Sequence, residues 1–147
     1  MKKTVCLITA LLLCVLCSFA AADQKVTLPG GTHTVKLPDS LQKSDGGGGS
    51  LLYYYTGNAL QMHVFCFDNG GTSLDGYAGI MTSAGKDATV RTIGGTQMIC
   101  YRDTDASDGA SLIAYIYPVE DEYVEIDFFC GSRKAEDTVT AIMNSFR

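Results

Sequence analysis

Short runs in which every second residue is apolar recur along this chain, and glycine-bearing corners separate them. Lys25-Val26-Thr27-Leu28 and Thr32-His33-Thr34-Val35-Lys36-Leu37 flank Pro29-Gly30-Gly31; residues 51–56 and 60–67 flank Gly57-Asn58; residues 88–93 and 96–103 flank Gly94-Gly95. A period of two places alternate side chains on opposite faces of a strand. Two-residue corners that tolerate positive φ close antiparallel hairpins, whereas parallel strands need a long crossover. The chain is therefore expected to build a mostly antiparallel sheet. Leu112-Ile113-Ala114-Tyr115-Ile116-Tyr117 is apolar throughout and is expected at the centre, covered on both faces. After a turn over 118–122, Val124-Glu125-Ile126-Asp127-Phe128 alternates strictly, which predicts a last strand with Glu125 and Asp127 on its exposed side.

Two segments switch to helical spacing. Thr72-Ser73-Leu74-Asp75 has the form of a capping box, and Leu74, Tyr77, Ala78, Met81 and Ala84 follow one face up to Gly85. From Ser132 the apolar positions Ala135, Val139, Ile142 and Phe146 recur at four, three and four, predicting a closing helix. Residues 39–50, with Gly46-Gly47-Gly48-Gly49-Ser50, read as a surface loop. No Lys-Ser/Thr follows that glycine run, so it is no phosphate loop. Strand runs with one helix between the early and late meanders and another at the end give an α+β fold, an antiparallel sheet flanked by helices.

The first 22 residues have a signal peptide's three parts: Met1-Lys2-Lys3, an apolar run over 5–16, and Ala20-Ala21-Ala22 before Asp23. That run is shorter than the roughly 20 residues a bilayer-crossing helix needs. The expectation is a cleavable secretory signal over 1–22, no membrane span after cleavage, and one secreted, extracytoplasmic domain over 23–147, a size able to hold its own core. Cys14 and Cys17 raise a lipid-modified amino terminus as an alternative, but Leu13 and Leu16 stand where that processing wants a small residue. Loss of Lys2 and Lys3 leaves 9 basic against 16 acidic residues, a net charge of −7. That balance disfavours nucleic acid and anionic membrane as partners.

The cysteines Cys66, Cys100 and Cys130 lie in apolar runs, where a thiol behaves as a small hydrophobe; a single disulfide or a reactive thiol are the alternatives. Their spacing matches no zinc site. The acidic loop Asp103-Thr104-Asp105-Ala106-Ser107-Asp108-Gly109 is the candidate metal site, with Asp103, Asp105 and Asp108 as oxygen ligands for calcium. It lacks the glycine and the glutamate of a helix-loop-helix calcium site, which leaves a solvated hairpin loop as the competing reading. Glu125 and Asp127, with Glu120-Asp121-Glu122, resemble paired acid-base carboxylates only superficially, since strand alternation already accounts for them. His63 and Cys66 are three apart on one strand and so point to opposite faces, which rules against a dyad. Tyr53 and Tyr55, in Tyr53-Tyr54-Tyr55, are the candidate partner-binding residues, and Tyr115, Tyr117 and Tyr123 supply further amphipathic surface.

The hairpin followed by Leu37-Pro38-Asp39-Ser40-Leu41, the capped Ser73-Leu74-Asp75-Gly76-Tyr77, the strand pair around Ile93-Gly94-Gly95 and the closing Ala141-Ile142-Met143-Asn144-Ser145-Phe146 resemble, in that order, the Mog1/PsbP-like family. The resemblance covers nearly all of 23–147. It implies a three-layer α/β/α sandwich used as an accessory or partner-binding module and not as an enzyme. Family roles include binding a small GTPase, supporting a photosynthetic complex and chaperoning secreted effectors, and no functional residue of those members has a counterpart here. The expectation is a bacterial-type secreted, non-enzymatic domain with no cofactor that binds a protein or cell-envelope partner; the alternative is an extracellular calcium-responsive domain using 103–108.

Overall fold

The computed structural model describes residues 23–44, 51–57, 59–104 and 109–147. Two strands, β1 (Asp23–Thr27) and β2 (Thr34–Pro38), pair antiparallel as a separate hairpin around the Gly30-Gly31 corner. The main sheet has seven strands in the order β3-β4-β5-β9-β8-β7-β6, every described pairing antiparallel. Its strands are β3 (Gln42–Lys43), β4 (Leu51–Gly57), β5 (Leu60–Asp68), β6 (Thr89–Ile93), β7 (Thr96–Thr104), β8 (Ser111–Val119) and β9 (Glu122–Cys130). The apolar β8 lies inside the sheet between β7 and β9, as its composition requires.

Helix α1 (Leu74–Ser83) covers one face and helix α2 (Arg133–Asn144) the other, which makes the three layers. The α2 cap is Ser132, whose Oγ accepts from the Ala135 amide at 3.2 Å. In α1 the cap falls on Ser73, not on Thr72 as a four-residue capping box predicts; Ser73 Oγ accepts from the Gly76 amide at 3.2 Å, and no acidic side chain returns the bond. The larger core lies under α2 and the β1–β2 hairpin. There Val35, Leu37, Met62, Val64, Val124, Ile126, Phe128, Val139 and Phe146 are buried together. The chain end joins this layer, since Thr34 and Arg147 exchange backbone bonds of 2.9 and 3.1 Å. The smaller core, under α1, holds Ala78, Ile99, Tyr101, Ala114, Ile116 and Tyr123.

Two local expectations change. Gly57 is the last residue of β4 and pairs with Leu60, so the corner moves one residue on, where Ala59 takes a positive φ of 57°. Within the segment read as loop, Gln42 and Lys43 form a short edge strand against Thr56 and Tyr55. The Gly94-Gly95 corner is fixed by more than its φ values of 58° and 88°, for a Cβ on Gly94 would lie 2.4 Å from the Phe146 carbonyl oxygen.

Candidate functional site

A helix is about 10 Å wide and strands lie about 4.8 Å apart, so one helix shields two or three strands of a broad sheet. On the α2 face the β1–β2 hairpin extends the cover towards one side. Towards β6 and β7 it does not, and the inward-facing residues there, selected by the β6–β7 register, line a groove of about 320 Å³ against the flank of α2. Its walls carry Arg91 from β6, Cys100 and Arg102 from β7, Tyr115 from β8, and Thr140 and Met143 from α2.

The groove sets two arginines and Asp87 around apolar side chains that include Ile93, Ile113 and Met143. The Arg102 guanidinium donates to Glu136 Oε2 at 3.0 Å, and that contact holds the Glu136 carboxyl below its ordinary range. Arg91 is exposed and makes no ion pair or hydrogen bond among the described residues. Burial pushes the Cys100 thiol up, with Arg91 opposing, which disfavours the thiolate. Burial likewise raises the Tyr115 hydroxyl; its ring meets Phe128 edge to face at 6.1 Å. Nothing in the groove pairs a nucleophile with a base.

The sheet face under α1 holds a second polar group. Glu125 and Asp127 project from β9 two residues apart, and each is half-buried instead of facing solvent as alternation alone suggests. The Tyr101 hydroxyl donates to Glu125 Oε1 at 2.8 Å. Burial raises both carboxyls, and Asp127, also repelled by Glu125, is pushed up to about 7. His63 pairs with Asp127 across the β5–β9 register and is wedged between Tyr54 at 4.7 Å and Phe129 at 4.8 Å. Burial lowers its pKa, and neither its Nε2 nor Asp127 Oδ1 finds a partner among the described residues. Glu125, Asp127 and His63 lie on the α1 side of the sheet and line none of the described cavities.

The residues singled out from the sequence are dispersed. Tyr55 is 5% exposed and belongs to the larger core, so its ring is not offered to a partner. Tyr53 also turns inward, half-buried against that core with Lys43 Nζ 5.0 Å above its ring. The register to β5 places both on the inner face and leaves Tyr54 on the other. Tyr117 and Tyr123 are buried, and only Tyr115 of the later tyrosines reaches the groove. Asp103 bonds the Lys86 ammonium, which holds its carboxyl below the ordinary range; Asp105 and Asp108 lie outside the described residues. Cys66 Sγ donates to Glu122 Oε2 at 2.8 Å on the face opposite His63, and burial pushes the Cys66 and Cys130 thiols to about 11. All three described cysteines are free thiols. Arg91 and Arg102 were not singled out in the sequence. The available signal was an arginine at the inward parity of two successive strands, at Thr89-x-Arg91-x-Ile93 and Cys100-x-Arg102.

No protein-family model matches the sequence. No curated protein matches it either. Solved structures do. Cyanobacterial PsbP (CyanoP) from Synechocystis sp. PCC 6803 superposes with a TM-score of 0.61 at 12% identity over 89% of this chain and 95% of its own. The Ran-binding protein Mog1p of Saccharomyces cerevisiae gives 0.56 at 12% identity, covering 87% and 96%. A protein from Bacteroides thetaiotaomicron gives 0.57 at 14% identity over 84% of this chain, which spans about half (47%) of that longer protein. Identities this low establish a shared architecture and carry no residue across.

Proposed function

We propose, from the Mog1/PsbP-like fold of this chain, that it is an exported, non-enzymatic binding domain that takes a protein or cell-envelope partner in the groove between α2 and the β6–β7 hairpin. The observation that carries the reading is Arg91, an exposed cation with no ion pair among the described residues, set beside apolar side chains in a groove whose lining also includes Asp87. An exposed guanidinium without an ion pair beside apolar surface is the pattern of an interface anchor. The fold is shared with a protein described as Ran-binding, which supports a protein as the partner. No helix among the described residues is long and apolar enough to cross a membrane. Export rests on the amino-terminal pattern over 1–22.

The test is capture from culture fluid and envelope extract of the native host by the immobilised protein. A captured protein that is lost with Arg91→Glu and with Thr89→Arg, both at unchanged melting temperature, supports the reading. Equal capture by both variants, or retention of the wild-type protein in the cytoplasm on fractionation, overturns it.

A further inference from the structure

The groove is bounded on its outer side by β6, and β6 is an edge strand: among the described residues only β7 pairs with it. The β6–β7 hairpin closes through Ile93↔Thr96 around two glycines of positive φ. In such a hairpin the closing pair exchanges backbone bonds and every second pair repeats this, so Arg91 and Thr89 are bonded to β7. The backbone N–H and C=O groups of Val90 and Thr92 consequently face outward from the edge. An open edge of this kind is a template for another strand. Thr89-Val90-Arg91-Thr92-Ile93 is β-branched at every position except Arg91 and contains no proline to block pairing.

Charge selects what kind of strand this edge accepts. A second copy pairing antiparallel about the middle of β6 would set Arg91 opposite Arg91, a like-charge contact that opposes self-association. A residue of an incoming strand opposite Arg91 occupies a non-bonded position, where facing side chains stand closest, and shares the face that Arg91 presents to the groove. We propose that the outer edge of β6 receives an extended acidic segment of a partner protein as an added strand, with one carboxylate of that segment seated against Arg91. Backbone bonds to Val90 and Thr92 give the affinity, and the carboxylate over the apolar groove sets register and preference. This inference rests on the groove being the binding surface and goes further by naming the partner's chemistry.

The test titrates the purified, isotopically labelled protein with an acetylated, amidated Thr-Val-Glu-Val-Thr peptide and with its Thr-Val-Lys-Val-Thr counterpart, following backbone amides by NMR. Expected are shifts and slowed hydrogen exchange at Val90 and Thr92, a preference of about fivefold for the glutamate peptide, and reversal of that preference in Arg91→Glu. A glutamate peptide N-methylated on its edge-facing amides should lose the effect. Absence of shifts at β6, equal binding of both peptides, or an unchanged preference in Arg91→Glu would overturn the inference. Arg91-dependent capture that persists alongside such a result would mean that the groove takes a folded surface instead of a strand, and loss of both would remove the broader reading as well.

Discussion

Asp127 and Phe128 are neighbours on β9 and look into different interiors. Phe128 enters the core under α2, where its ring is fully buried among Val64, Ile126, Val139 and Met143. Asp127 enters the layer under α1, beside Glu125, with one oxygen unpartnered among the described residues. The α2 face is closed by a helix with a continuous apolar stripe, by a strand hairpin and by the chain end. The α1 face is closed by a helix that buries only Ala78 fully and carries Gly76 and Gly79 within it. One sheet thus has a side that supplies the cohesion and a side that tolerates ionisable groups. The groove opens where the cohesive side runs out of cover.

Truncating one side chain from each layer gives the largest test of this contrast. Phe128→Ala removes a fully buried ring and should cost about 3–5 kcal/mol, while Met81→Ala, on the half-buried inner face of α1, should cost about 1–2 kcal/mol. Urea denaturation of both variants reads the difference directly. Equal losses would show that the α1 layer is as cohesive as the other and would break the comparison.

The carboxyl pair sharpens it at intermediate magnitude. Asp127 has a folded pKa of about 7 against an ordinary 3.8, so between those values the folded protein holds a proton that the unfolded chain has released. Stability from this group is therefore greatest below about pH 4, falls as pH rises, and is lost above about pH 7. Asp127→Asn, which mimics the protonated form, should match the wild type near pH 4 and be more stable near pH 8 by about 1–3 kcal/mol, the range for a poorly compensated buried polar group. Unfolding free energies of the two proteins across pH measure it. A constant difference at all pH values would place the Asp127 carboxylate in water and return β9 to a strand with one wet side.

How far the sequence disclosed these layers depends on what each signal encodes. The apolar stripe Ala135, Val139, Ile142 of α2 and the unbroken run in β8 report burial directly, and both elements stand where that predicts. Alternation in β9 reports only that its two sides differ in chemistry. Whether Glu125 meets water depends on α1, whose Tyr77 approaches from some fifty positions earlier in the chain; Glu125 helps raise the Tyr77 hydroxyl. Parity in Tyr53-Tyr54-Tyr55 is equally silent about direction, which is set by pairing to β5 and by the register shift between Leu51 and Tyr53. The groove exists because a twelve-residue helix crosses a sheet of seven strands, a relation between elements that no local pattern contains.

The smallest effect is expected at the rim, where Lys86 from the α1–β6 connection meets Asp103 from β7 with both side chains about 40% exposed. Ion pairs in such surroundings gain little attraction in water and lose side-chain freedom on forming. Lys86→Ala should leave the denaturation midpoint within error of the wild type, in contrast to either substitution within the layers. The same contact bears on calcium, because an ammonium already occupies the carboxylate that would supply the first ligand of 103–108. That contact is too weak to bar a divalent cation, so calcium titrated calorimetrically into the wild-type protein tests Asp103 directly, and no heat with no change in melting temperature would remove it as a ligand. Heat that appears in the wild type and grows in Lys86→Ala would establish a cation site at this rim, with Lys86 as its internal competitor.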